Sequence, residues 1–443
     1  MTGATSALDG FLARRGTGAP RPPLRYLRRK PGRGLVAVFG PGDTGAIFTV
    51  TVDEASVLAA AGGDATASGC TINEFPVDPQ LPHLDTVMTP AGHPPLAAAL
   101  ESAAREVHDV PPDRPLTRIG AEPVRYKPGD RCVIRYRLRF GDAGSAEGAN
   151  SDVRTCTLVA KLYRERGEAQ AATDLLARLH TRAGLAWTAR PLGVAPELPL
   201  ALTEDLGSPV PARSGLDVVH PGSDAAVEVV RRAAGALAEL HTSGLDTGGL
   251  TRRTGADEAG KAAKRATLLE QYVPELTPVV RQVTGELCTT LAGLPGDTVR
   301  PGHGSYKPSQ LLVRDGAVFV VDFDQVCLAD PALDVGYFLA YLRPAGLWYR
   351  RAGRRAWFEA AADAFLSTYL HRLADRGESP ETCAGIAGRA PAFEAALLLK
   401  IAARRANRLH SPRPGEVAAV LDEVSRSLAS ARAGGLTPPG SAG

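Results

Sequence analysis

Hydrophobic and polar positions alternate along this chain first with the period of strands and then with that of helices. The clearest strand is Arg131 to Phe140, where Cys132, Ile134, Tyr136, Leu138 and Phe140 alternate with Arg131, Val133, Arg135, Arg137 and Arg139. Val124 to Tyr126 enters the turn Lys127-Pro128-Gly129-Asp130 ahead of it, which predicts a hairpin. A polar linker, Gly141 to Asn150, leads to an apolar strand, Leu158 to Tyr163, interrupted by Lys161, and then to a helix from Glu168 to Leu179. Upstream, Leu35 to Phe39 and Ala46 to Val52 predict two strands around the turn formers Gly40 to Gly45, followed by a short helix at Asp53 to Ala61. Cys70 to Phe75 continues as a strand and Pro95 to Val107 as a helix, before the Pro-rich joint Val110 to Pro115. After Pro199 a short strand, Leu200 to Thr203, runs into Glu204-Asp205-Leu206-Gly207. The rest is mainly helical apart from one hairpin, Leu311 to Val313 and Ala317 to Asp322 around Arg314-Asp315-Gly316.

Residues 1–22 and 433–443 show no sustained period and are expected to be disordered tails, with the basic run Arg25 to Arg33 a solvated face before the first strand. At 443 residues, two or three globular units are expected. The balance of 51 basic against 48 acidic residues gives only +3, which supplies no net field for nucleic acid or an anionic membrane. Neither is expected as a partner. Six cysteines without a CxxC pair and nine histidines without HExxH read as reduced thiols rather than a zinc site. The first 20 residues lack a signal-peptide core, and no run approaches the roughly 18 to 20 apolar residues of a membrane span, so a cytoplasmic protein is expected. There is no Walker A loop and no GxSxG elbow.

Only seven residues are lysines, which gives weight to those inside motifs. Lys161 interrupts an apolar strand, where an ammonium ion needs an anion: nucleotide phosphates, with Glu168 or, as second choice, Asp174 as the companion carboxylate. The alternative is a lysine snorkelling from an edge strand. The segment His303-Gly304-Ser305-Tyr306-Lys307-Pro308-Ser309-Gln310 precedes the hairpin, and Val321-Asp322-Phe323-Asp324 closes it. A polar loop, a tight hairpin and acidic residues at a strand end suit phosphoryl transfer, although the acidic pair taken alone also fits a solvated strand end.

In order, HGSYKPSQ, LLVRDGAVFVVDFD and Asp330-Pro331-Ala332-Leu333-Asp334 resemble the aminoglycoside phosphotransferase-like family, whose pattern is HGDxxxxN, a hairpin with a terminal Asp, and DPxxD. The loop is also similar to the HRDLKPEN loop of protein kinases. The resemblance covers roughly residues 116–430. It implies an α+β, bilobal protein kinase-like fold: a β-rich N-lobe at 116–205 and a mainly helical C-lobe at 206–432. Residues 23–115 lie outside it and, from their pattern of strands and helices, are expected to form an extra small α+β domain. That domain would recognise substrate, bind a protein partner, form a homodimer or buttress the first lobe.

The same resemblance implies ATP and Mg²⁺ as cofactors. Lys161 would contact the α and β phosphates and Asp322 would be the main magnesium ligand. Asp324 is a weaker candidate, and Gln310 stands at the family's second metal-binding position. His303 and Asp334 would be architectural. Lys127 and Gly129 belong to the turn that would cover the phosphates, and Thr203 and Glu204 to the hinge that would meet adenine. The departure is Ser305, which stands where the family carries its catalytic aspartate and cannot take up a proton as a carboxylate does. Lys307, two residues on, could reach the γ-phosphate or lie as a surface lysine. Two functions stay open: a kinase acting on a hydroxyl of a small molecule, natural product or peptide Ser/Thr, and a pseudokinase that binds nucleotide or peptide as a scaffold. From Tyr341 to the end, 15 basic residues against 9 acidic ones give +6, which disfavours a polycationic acceptor. Arg404, Arg405 and Arg408 could meet an anionic or peptide one.

Overall fold

A computed structural model describes residues 2–14, 21–30, 34–40, 46–61, 69–141, 153–207, 223–296, 298–342, 355–406 and 414–433. They form two compact units: residues up to 169 with 194–201, and 170–193 with 202–406 and 414–433. The tail expected at 433–443 lies outside the described residues beyond Ala433.

The first unit opens with a helix, α1 (Thr2–Arg14), where a disordered tail was expected. Ala4, Leu8 and Leu12 recur on one face and are buried against Phe39, Phe48 and Val50. Ala- and Gly-rich composition hid this apolar stripe. A four-stranded antiparallel sheet follows, β1 (Leu24–Lys30), β2 (Gly34–Phe39), β3 (Phe48–Val52) and, after α2 (Glu54–Ala61), β4 (Cys70–Glu74), paired in chain order. The basic run is therefore not a face ahead of the first strand; Leu24–Lys30 is that strand, with Lys30 opposite Gly34. Arg29 is neutralised by Glu54, 3.0 Å away.

Helices α3 (Leu84–Met88) and α4 (Pro94–His108) lead into the long strands β5 (Leu116–Lys127), β6 (Arg131–Phe140) and β7 (Arg154–Leu162). The alternation in β6 is what its burial follows: Cys132, Ile134, Tyr136, Leu138 and Phe140 are fully buried. Residues up to 115 and these strands fall in the same compact unit. Tyr136 shows the tie, its hydroxyl donating to the Val87 carbonyl at 2.8 Å. Helix α5 (Arg166–Ala177) comes next, and β8 (Pro191–Val194) and β9 (Leu200–Glu204) complete a five-stranded sheet in the order β5-β6-β7-β9-β8.

The second unit is mainly helical: α6 (Asp224–His241), α7 (Gly255–Tyr272) after the two-residue strand β10 (Arg252–Arg253), and α8 (Thr277–Ala292). Then come β11 (Arg300–Gly302), the hairpin β12 (Leu311–Arg314) and β13 (Ala317–Val320), β14 (Cys327–Ala329), α9 (Ala332–Leu342), α10 (Arg355–Asp375), α11 (Pro380–Ala406) and α12 (Pro414–Ala433). Strands β10, β14 and β11 form a small sheet beyond the one hairpin expected from sequence. These strands are two or three residues long, too short to show a period. Helix α9 is the hub, buried on every side except at Tyr341. Its Phe338 stacks on Phe365 (4.0 Å between ring centres) and on Tyr306 (5.4 Å), so the loop at 303–310 is anchored directly in the core. Among the described residues no helix is long and apolar enough to cross a membrane.

Candidate active site

The segment from His303 to Gln310 leaves β11 and turns sharply at Gly304, whose φ is +72°. A Cβ there would lie 2.0 Å from the Gln325 carbonyl oxygen, so glycine is required. Asp334, in the first turn of α9 and only 2% exposed, accepts from the Gly304 and Tyr306 amides at 3.2 and 3.3 Å. Burial would raise its pKa, but His241, whose Nε2 lies 3.6 Å away, together with His303 and the Gly304 amide, holds it below the ordinary range. His303 is buried, and its Nε2 donates to the Val321 carbonyl at 3.2 Å. Burial pushes its pKa down despite the neighbouring Asp334, so it stays a neutral donor. Both residues thus hold backbone.

The structure brings Ser305, Gln310 and Asp322 together. Gln310 is 2% exposed, and its Nε2 donates to Ser305 Oγ at 3.1 Å and to Asp322 Oδ2 at 3.4 Å. Its Oε1 is buried without a hydrogen-bond partner. Leaving an amide oxygen so is costly, and a bound cation relieves that cost. Asp322 follows β13 with φ +72°, a left-handed conformation that costs a residue with a side chain about 1 to 3 kcal/mol and that functional sites tolerate. Asp324, two residues on, and Lys307 are half-buried.

The donor chemistry fits a hard divalent cation: a carboxylate and an amide oxygen, the remaining positions being left to phosphate and water. Among the described residues there is no cluster of three or more His, Cys, Asp or Glu side chains that could hold a metal ion.

The remaining expected residues are placed as follows. Lys161 lies on the half-buried face of β7, in phase with Thr157 and Val159, while Leu158, Ala160 and Leu162 take the buried face. Its burial is therefore milder than the apolar strand suggested. The ammonium lies 5.1 Å from the Tyr163 ring centre. Glu168 is exposed, and its carboxylate accepts from the backbone amides of Arg164 and Glu165 at 3.3 and 3.4 Å, capping α5. Asp174 accepts from Gln170 Nε2 at 2.8 Å. At the end of β9, the Glu204 amide donates to the Arg190 carbonyl at 3.1 Å and its carboxylate accepts from the Arg190 amide at 2.7 Å; Thr203 beside it is half-buried. In the turn, Lys127 pairs with Asp130, and the Gly129 amide donates to Asp78 at 2.7 Å.

Residues 142–380, more than half of the chain, match the model of the phosphotransferase enzyme family (APH). The chain belongs to that phosphotransferase family. Its fold is accordingly the α+β, protein kinase-like one. A glucosamine kinase structure is similar at 19% identity with a TM-score of 0.48, covering 93% of this chain and 96% of that one. An aminoglycoside phosphotransferase, described as putative, from Ralstonia eutropha JMP134 is similar at 16% identity with a TM-score of 0.48, covering 76% and 98%. A choline/ethanolamine kinase family protein from Mesorhizobium loti is similar at 18% identity with a TM-score of 0.45, covering 76% and 99%. No curated protein matches the chain.

Three residues of this phosphotransferase that sequence reasoning missed support the loop. His241 ends α6, its Nδ1 bonded to the Tyr369 hydroxyl at 2.7 Å. It continues the apolar stripe of Val230, Ala234 and Leu237, which was its only signal. Arg253, on β10, donates 2.6 Å bonds to the Gly304 carbonyl, to Glu258 and to the Tyr337 hydroxyl. Glu258 is fully buried and also accepts from Lys261 at 2.8 Å and from Tyr337 at 3.1 Å. Nothing in the local sequence around Arg253 distinguishes it from a surface arginine, because its partners lie up to 84 residues away.

Proposed function

We propose that this phosphotransferase moves the γ-phosphoryl group of ATP, with Mg²⁺, to a hydroxyl group of a small molecule or of a peptide Ser/Thr. The observation that carries this reading is the buried, unpartnered Gln310 Oε1 beside the left-handed Asp322. Asp322 and Gln310 would hold the cation, with Asp324 as a further oxygen donor; when bound, it neutralises charge on the transferring phosphate and orients it. Lys161 and Lys307 would supply fixed positive charge to the phosphates. Ser305 Oγ, already accepting from Gln310, has no capacity to take the acceptor's proton, so Ser305 orients rather than deprotonates. Phosphoryl transfer depends mostly on positioning and electrostatics, which tolerates the loss of a base.

A second reading, a nucleotide-binding pseudokinase, is favoured by that same Ser305. Calorimetry with ATP and Mg²⁺, followed by an acceptor screen, separates the two. If Asp322→Ala left ATP-dependent phosphorylation of a true acceptor unchanged, the metal role would be wrong. If the wild-type chain bound ATP yet phosphorylated nothing across the screen, the second reading would stand.

A further inference from the structure

Helices α7 and α11 meet through faces that both carry cations. Lys261 and Arg265 stand one helical turn apart on α7, as do Lys400 and Arg404 on α11, a spacing that puts each pair on one face. The two faces touch, because Arg265 Nη1 donates to the Ala396 carbonyl of α11 at 3.4 Å, one turn before Lys400. Arg253 joins them from β10. Its guanidinium carbon lies 5.4 Å from the centre of the Tyr337 ring, and Lys400 Nζ lies 5.1 Å from the same centre.

Glu258 is the carboxylate among these cations, and it is already engaged: its Oε1 accepts from Arg253 and Lys261 at 2.6 and 2.8 Å, its Oε2 from the Tyr337 hydroxyl at 3.1 Å. Arg253 and Lys261 therefore have their counter-ion. Among the described residues no carboxylate pairs with Lys400, Arg265 or Arg404. Burial, with Arg404, Arg265 and Arg253 beside it, pushes the Lys400 pKa down to about 6, Glu258 opposing. Burial likewise lowers that of Arg265, with Arg404 and Arg253 adding to the effect. Like charges held together away from water cost stability, and an anion among them removes that cost. Lys400 is half-buried and Arg404 exposed, so the cluster reaches the surface.

We propose that Lys400, Arg265 and Arg404 form a binding site for the oxyanion of a small molecule, a phosphate ester or a carboxylate, where α7 and α11 meet. Two guanidinium forks suit either group. Arg253 ties the same cluster to the loop at 303–310 through its 2.6 Å bond to the Gly304 carbonyl. The site does not depend on the phosphoryl-transfer reading. Because an opposite charge favours the charged lysine, an arriving anion raises the Lys400 pKa, and binding at pH 7 takes up a proton.

The test uses the full-length protein labelled with carbon-13 at the lysine Cε positions. With only seven lysines the spectrum is simple, and Lys400→Met assigns the Lys400 signal. The signal is followed against pH in chloride, then with sulfate or acetate at matched ionic strength. Sulfate stands in for a phosphate ester without titrating near pH 7, and acetate for a carboxylate. With the fitting anion Lys400 should hold its proton about tenfold more tightly, while the other lysines stay unchanged. A response to sulfate alone assigns the phosphate ester, and one to acetate alone the carboxylate. Arg404→Met and Arg265→Met should each weaken that anion about tenfold. Should Arg265→Met fail to fold, Arg404→Met, on an exposed residue, decides. A Lys400 signal that neither anion moves beyond chloride, or an equal response in Arg404→Met, would overturn the site.

Discussion

Arg253→Met is the most demanding perturbation the structure offers, because it removes three short bonds at once, one of them to the loop at 303–310. The arginine is 12% exposed in its side chain and Glu258 not at all. Burial would raise the Glu258 pKa, but the bonds and charges of Arg253 and Lys261 bring it down to about 2 from 4.5. A carboxylate depressed in the folded state contributes stability that is fully present above its unfolded pKa and is lost as pH falls through the folded one. Over that interval, at about 1.4 kcal/mol per unit, Glu258 contributes about 3 kcal/mol at pH 7. Removing the arginine leaves the carboxylate to Lys261 and Tyr337, and breaking a buried pair costs about 3 to 5 kcal/mol. Urea unfolding at pH 7 should therefore show Arg253→Met less stable by that amount, and the gap should narrow as pH falls from 4.5 toward 2. A gap below about 1 kcal/mol at pH 7, or one that does not narrow in acid, would refute the argument. The Gly304 carbonyl also loses its donor, so phosphoryl transfer should fall further than ADP affinity does.

Lys400→Met should raise stability. Lys400 Nζ lies 5.1 Å from the Tyr337 ring centre, and burial with Arg404, Arg265 and Arg253 pushes its pKa down to about 6, with Glu258 opposing. A depressed lysine penalises the folded state below the unfolded pKa, so the variant should gain up to about 5 kcal/mol at pH 7, and urea midpoints should converge as pH rises toward 10.5. Leu8→Ala should cost about 2 to 5 kcal/mol and free the first residues to limited proteolysis; unchanged protection would mean that α1 does not pack. Ser305→Asp should raise turnover by about 10² to 10⁴ if only a base is missing, measured as ADP release with a true acceptor; no gain would favour the binding-only reading.

What the sequence made legible follows physical rules of range. Strand β6 announced itself because one face of a sheet is buried and the side-chain period is two. The ordered loop, hairpin and DPxxD segment pointed to the family because they follow one another closely along the chain, so their order is readable without the fold. Helix α1 was missed because three apolar positions among Gly, Ala and Thr look like a tail until Phe39 and Phe48 provide a surface. Glu168, expected as the anion for Lys161, caps its own helix, a local hydrogen bond that periodicity does not predict. Asp78 and Arg253 act across 51 residues each, on Gly129 and Gly304, and no local pattern encodes such a contact.

These two long-range contacts bear on what Ser305 means. Each binds a glycine in the left-handed region, Asp78 at the amide of Gly129 and Arg253 at the carbonyl of Gly304. In both places a charged, buried group fixes backbone rather than facing solvent. A catalytic loop that had drifted free of function would have no need to keep Asp334 buried against two amides, or Gln310 buried with its oxygen unpartnered. The unpartnered Gln310 oxygen costs stability unless a ligand offsets it. The serine therefore sits in a loop whose backbone is held at several points.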